Sequence, residues 1–126
     1  MSVSLASIGQ IHINVRDVER ATAFYRDALG MKFLFQFPGM AFFDCGGVRL
    51  YLAKQEEGLT LATSVIYYRV PAIEETAAVL EKNGVRFKGR PHIVHRDARH
   101  ELWMAFFDDS EGNMLALMSE VPVAAT

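Results

Sequence analysis

An α+β fold built from two successive βαβββ units is what the sequence predicts, and three observations carry it. The pentapeptide Met40-Ala41-Phe42-Phe43-Asp44 recurs as Met104-Ala105-Phe106-Phe107-Asp108, 64 residues later. Upstream of each copy an alternating apolar stretch gives way to a helical one. Downstream of each copy a Gly-containing turn leads into a short apolar strand. Self-similarity at a fixed offset is the signature of a repeated supersecondary unit.

The elements follow in order. Ile11-His12-Ile13-Asn14-Val15 alternates as a strand does. Asp17 is a helix N-cap, because its side chain can accept a bond from an orphan amide of the first turn. Val18, Ala21, Phe24, Tyr25, Ala28 and Leu29 share a helical face, and Gly30 stops the helix. Met31-Lys32-Phe33-Leu34-Phe35 is the next strand, then the pentapeptide, then the turn Cys45-Gly46-Gly47 and the strand Val48-Arg49-Leu50-Tyr51-Leu52.

The second unit repeats the pattern. Val65-Ile66-Tyr67-Tyr68-Arg69-Val70 is its first strand, and Pro71 suits helix entry. Ile73, Ala77, Leu80 and Val79 are expected inward, and Asn83-Gly84 ends the helix. Val85-Arg86-Phe87 is expected as a strand. After the second pentapeptide come the turn Asp109-Ser110-Glu111-Gly112-Asn113 and the strand Met114-Leu115-Ala116-Leu117-Met118. The whole is expected as a single domain over 1–126, with units at about 8–53 and 64–119 and a polar linker at 54–63. Nine extra residues in the second half are expected at 89–101, as a longer edge loop.

Composition narrows the function. The chain has 126 residues, enough to bury roughly two thirds of its unfolded surface. It is 51% hydrophobic with a net charge of −2, so no nucleic-acid footprint is expected. No polybasic stretch points to a membrane surface, and no apolar run approaches a membrane span. Residues 1–10 lack the charged and apolar regions of a signal peptide. The lone Cys45 excludes an intramolecular disulfide and fits a reducing, cytoplasmic setting. A lone Cys in the stretch from Phe43 to Gly46 reads as a small structural residue.

Ile8-Gly9-Gln10-Ile11, Val15-Arg16-Asp17-Val18-Glu19-Arg20-Ala21, Phe24-Tyr25 and Leu29-Gly30 together resemble the opening of the vicinal oxygen chelate superfamily. That superfamily includes glyoxalase I, the bleomycin- and fosfomycin-resistance proteins and the extradiol dioxygenases. Asp109-Ser110-Glu111-Gly112-Asn113-Met114 is similar to its closing DPDGN turn. The resemblance implies curled mixed sheets forming a cup with helices outside, a small-molecule ligand in the cup, and a homodimer.

It also implies a metal tetrad on the first and last strand of each half. Position by position, those sites hold Gln10, Tyr51, Val65 and Ala116. Valine and alanine have no lone pair to give, and an amide with a phenol is a weak set for a divalent cation. The expectation is therefore a small-molecule binder with no cofactor. The alternative is an enzyme: a lyase, isomerase or dioxygenase. It would hold Zn, Mn, Ni or Fe on relocated ligands, His12 with His92, His95, His100 or Glu101, or work metal-free through His12 and Tyr51. His92 and His95, three apart, would point to opposite faces of a strand.

Alternation places further candidates. If Gln10 looks into the cup, so do His12 and Asn14. Arg49 joins Tyr51, Tyr67 and Arg69 join Val65, and Met114 joins Ala116. Arg49 and Arg69 would suit a carboxylate or phosphate, or would sit at the rim with solvated heads. Trp103 reads as core or cup wall. His12, Tyr51 and His100 are the candidate acid–base residues.

Overall fold

The structure is a computed structural model that describes residues 5–54 and 64–123. The expected linker, 54–63, lies outside them except for its first residue. The chain divides into two compact units.

The first unit contains β1 (Gln10–Asn14), α1 (Val18–Ala23), β2 (Lys32–Phe37), β3 (Met40–Cys45) and β4 (Val48–Ala53). Its sheet runs β1-β4-β3-β2, with β1 parallel to β4 and the other pairs antiparallel. The second unit contains β5 (Ile66–Arg69), α2 (Ile73–Lys82), β6 (His92–Arg96), β7 (His100–Asp108) and β8 (Met114–Pro122). Its sheet runs β5-β8-β7-β6 with the same directions. The α+β expectation of two βαβββ units with mixed sheets holds.

Both pentapeptides are interior strands, β3 and β7, and their register explains the repetition. Ala41 lies opposite Leu52 and Phe43 opposite Leu50; Ala105 lies opposite Leu117 and Phe107 opposite Leu115. All eight side chains are buried. The alanines leave room for a helix to approach, and the phenylalanines fill the space beside it. Helix α1 lies against β3 and β4, and α2 against β7 and β8. Tyr25 of the first unit, fully buried, packs on Phe43 at 6.1 Å.

Helix α1 starts as expected: Asp17 accepts a bond from the Arg20 amide at 3.0 Å. It does not continue as a regular helix. From Phe24 to Ala28 it widens into a π turn, where the Leu29 amide reaches back five residues to the Phe24 carbonyl. Buried Thr22 donates to the Val18 carbonyl at 2.6 Å just before the widening. In α2 the apolar face is Ile73, Ala77 and Leu80; Val79, expected inward, is 56% exposed because it falls off that stripe.

The largest departure from expectation is in the second unit. Val85-Arg86-Phe87 forms no strand, only a single bridge from Phe87 to Phe107. The Lys88 amide bonds to the Phe106 carbonyl, and the chain then leaves the ladder. Gly89 takes φ +147°, open to glycine, and Pro91 has no amide to donate. Pairing resumes with His92 opposite Met104. The extra length expected as an irregular loop is therefore mostly the β6–β7 hairpin.

The turn 109–113 is organised by one carboxylate. Asp109 accepts bonds from the Glu111 and Asn113 amides and from the Asn113 side chain, each at 2.8 Å. Gly112, at φ +86°, closes it. Asp109 is buried. Bonds to a charged acceptor contribute about 1.5–3 kcal/mol each before mutual coupling. Asp109→Ala is expected to lower unfolding free energy by about 2–4 kcal/mol in a urea titration, whereas Ser110→Ala, at a half-buried neighbour, changes it by less than about 1 kcal/mol.

Candidate functional site

One face of each sheet lies under its helix, and candidate chemistry collects on the other. In the first unit the uncovered face carries Gln10, His12 and Asn14 from β1, Arg49 and Tyr51 from β4, and Met40 and Phe42 from β3. Their neighbours of opposite parity, Ile13, Leu50, Leu52 and Phe43, are buried.

A register shift in β2 adds two more rings. Phe33 pairs with Phe43 on the covered side, but Phe35 pairs with Phe42 and Phe37 with Met40. The bulge at Leu34 thus turns Phe35 and Phe37 to the uncovered side. The result is a row of rings crossing all four strands. His12 stacks on Tyr51 at 4.6 Å and 12°. Tyr51 stacks on Phe42 at 5.4 Å and 20°. Phe42 meets Phe35 at 4.8 Å and 30°, and Phe37 closes on both.

His12 is held at a defined tautomer. Its Nε2 lies 3.2 Å from the Ala53 carbonyl, which can only accept, so Nε2 carries a hydrogen. In the neutral ring Nδ1 is then the lone-pair atom. His12 and Tyr51 border a cleft of about 600 Å³, closed by Met40, Ala53, Lys54 and the start of α1. Gln10 lies at the exposed start of β1, opposite Arg49. The Arg49 guanidinium sits 5.9 Å from the Phe42 ring centre.

The second unit has a poorer counterpart. Tyr67 and Arg69 lie beside Ala116 and Met118, with Phe106 and Met104 on the next strand. Tyr67 and His92 each approach Phe106, at 6.0 and 6.5 Å. Arg69 is well exposed and pairs with Glu120 at 3.3 Å. Met114, also exposed, has Lys88 Nζ 4.0 Å from its sulfur, and Lys88 pairs with Asp108 at 3.2 Å. Trp103 pairs with Ser119 and shares the parity of Ala105 and Phe107, so it lies on the helix side, away from Met114.

The β6–β7 hairpin revises the expectation for its histidines. A bulge between Ile93 and His95 sets His92 opposite Met104 and His95 opposite Leu102. Those partners share a face, so His92 and His95 do too, and His100 shares their parity. Glu101 points the other way, paired with Arg96 and accepting from Trp103 Nε1. His92 Nδ1 donates to the Arg90 carbonyl, and His95 faces Asp97 at 4.0 Å.

The four expected metal positions do not fit a divalent cation. The first unit supplies an amide, Gln10, with the Arg49 cation as its cross-strand neighbour, and the Tyr51 phenol within the ring row. The second supplies Val65 and the fully buried Ala116. Among the described residues, no three His, Cys, Asp or Glu side chains group as metal ligands, the relocated set included. Cys45 is half-buried, and burial with the neighbouring Asp44 charge pushes its thiol up, which makes it a poor nucleophile.

Sequence reasoning missed Phe35, Phe37, Phe42 and Met40. Phe42 was open to detection, since adjacent Phe42 and Phe43 must face opposite ways. Phe35 was not, because the bulge that turns it leaves no mark in the alternation.

Comparison with known proteins places the architecture. Residues 7–117 match the family model described as the Glyoxalase/Bleomycin resistance protein/Dioxygenase superfamily. A glyoxalase/bleomycin resistance protein/dioxygenase from Nocardioides superposes with a TM-score of 0.76 at 18% identity, covering 95% of this chain and 87% of that one. A lactoylglutathione lyase from Agrobacterium tumefaciens gives 0.76 at 18%, covering 92% and 95%. An integron cassette protein from V. cholerae gives 0.76 at 16%, covering 94% and 98%. At these identities the likeness shows the fold. No curated protein matches the chain. Among the described residues no helix is long and apolar enough to cross a membrane.

The hairpin tip carries a pH dependence. Asp97 accepts the His100 and Arg99 amides at 2.7 and 2.8 Å, which holds its carboxyl below the usual value. A depressed carboxyl stabilises the turn at neutral pH and loses that contribution as pH falls below the ordinary carboxylate range and through its own lower titration. Protection of the Arg99 and His100 amides against hydrogen exchange, measured by NMR, is expected to drop there. In Asp97→Asn the drop is absent.

Proposed function

The chain belongs to the glyoxalase/bleomycin resistance protein/dioxygenase superfamily, and within it we propose that this protein binds a flat small organic molecule without a metal ion. The observation that carries the reading is the row His12–Tyr51–Phe42–Phe35, beside a cleft of about 600 Å³. Ligand pockets are largely apolar with a few fixed polar groups. Here the polar groups lining the cleft include the His12 imidazole and the Tyr51 phenol, and the Arg49 guanidinium lies on the ring row beside it.

The donor chemistry supports the metal-free part. In the first unit the expected metal positions offer an amide beside the Arg49 guanidinium and a phenol, and in the second unit Val65 and Ala116 offer no donor at all. Of the relocated set, Glu101 points away from the face that His92, His95 and His100 share and is paired with Arg96.

Calorimetric titration with a panel of uncharged bicyclic arenes tests the binding reading. At least one is expected to bind, and Tyr51→Ala to weaken it about tenfold, since a ring contact contributes roughly 0.5–1.5 kcal/mol beyond its buried area. Added Zn, Mn, Ni or Fe leaves the affinity unchanged. Binding that needs one of those metals would overturn the proposal.

One observation favours a second reading, a metal-free lyase or isomerase. His12 has its Nε2–H fixed by Ala53, which leaves Nδ1 as a base, and the Tyr51 phenol lies next to it as an acid. Under this reading His12→Ala abolishes any turnover found in a metabolite screen, whatever affinity it loses with the stacked ring. Turnover that survives the substitution excludes His12 as the base.

A further inference from the structure

We infer that the ligand of the first unit's ring row is a planar aromatic carboxylate, with its ring on Tyr51 and Phe42 and its carboxylate on Arg49. This rests on the binding reading above and adds the charge of the ligand.

Ring spacing gives the first half of the argument. Carbon atoms of neighbouring rings settle no closer than roughly 3.5 Å. Rings lying side by side in one plane therefore need roughly 6 Å or more between centres. His12–Tyr51 at 4.6 Å and Phe42–Phe35 at 4.8 Å are too close for that, with planes 12° and 30° apart. The rings must stand on the sheet face to face, like slices, and turn their edges outward. The edge of an aromatic ring is the positive part of its quadrupole. A row of edges favours the electron-rich face of a flat arene laid across it in T-shaped contact.

Arg49 gives the second half. It lies two residues before Tyr51 on the same face of β4, roughly 6–7 Å away along the strand. It is exposed, and its recorded contact is the Phe42 ring at 5.9 Å. Its cross-strand neighbours are Gln10 and Asp44. Asp44 uses Oδ1 to accept the Gly47 amide at 3.3 Å and makes no ion pair with Arg49. Among the described residues Arg49 therefore has no carboxylate partner, unlike Arg69, which holds Glu120. A guanidinium bound to a ring and lacking an anion is ready for a bidentate carboxylate from the ligand.

Three probes of similar size separate the contributions: naphthoate, its neutral naphthamide, and decalin carboxylate, titrated by calorimetry into the wild type and Arg49→Gln. In the wild type naphthoate is expected to bind about threefold to tenfold more tightly than naphthamide, as fits one half-exposed charge pair. Decalin carboxylate binds more weakly than naphthoate. In Arg49→Gln, naphthoate and naphthamide become equal. Equal affinities in the wild type, or a preference that survives Arg49→Gln, overturn the carboxylate inference. If that happens while Tyr51→Ala still weakens both arenes, the binding reading stands. If neither arene binds, the binding reading falls with it.

Discussion

A four-stranded sheet has two faces, and in each unit one helix covers one of them. Pleat parity then divides every strand into residues that must pack and residues that need not. Ala41, Phe43, Leu50 and Leu52 are committed to the core of the first unit, as Ala105, Phe107, Leu115 and Leu117 are to that of the second. Burying side chains of this size is worth roughly 1.5–3 kcal/mol for each large one, which is why these positions keep the same types in both halves. The residues between them lie on the face away from the helix, and there the halves diverge. Where the first unit has His12 and Tyr51, the second has Tyr67 and Ala116.

Much of this was legible because it follows from strict alternation and local capping. The repeat located both interior strands, and equating Tyr51 with Ala116 survives in the register, since Phe42 faces one and Phe106 the other. The Asp17 cap and the 109–113 turn were legible because each depends on side chains within a few residues. What stayed hidden is what breaks the period. The bulge at Leu34 brings Phe35 to the uncovered face. The bulge before His95 brings His92 and His95 to one side. The π turn after Ala23 and the excursion at Gly89 each insert residues that the pattern cannot place. The two bulges depend on strand partners distant in sequence.

Charge explains why the site differs from the family's metal scheme in kind. A metal centre gathers anionic or imidazole donors and repels cations. At the corresponding place this chain sets an amide beside a guanidinium, with rings filling the rest of the face. The same strands carry the ring row from His12 to Phe35. The change needs no alteration of the fold, because the residues involved lie on the face that carries no packing obligation.

The two bulges have one more effect, on how the molecule meets its neighbours. Strands β2 and β6 are outer strands of their sheets and largely exposed, with Leu34, Phe37 and Val94 among their open side chains. Straight, apolar outer strands are templates for runaway strand addition between molecules. Each of these two departs from regular register once, between Phe33 and Phe35 and between Ile93 and His95. An incoming strand could keep step with only a few residues before its hydrogen bonds fell out of phase. The irregularity that exposes the rings thus also guards a sticky edge against fibre growth.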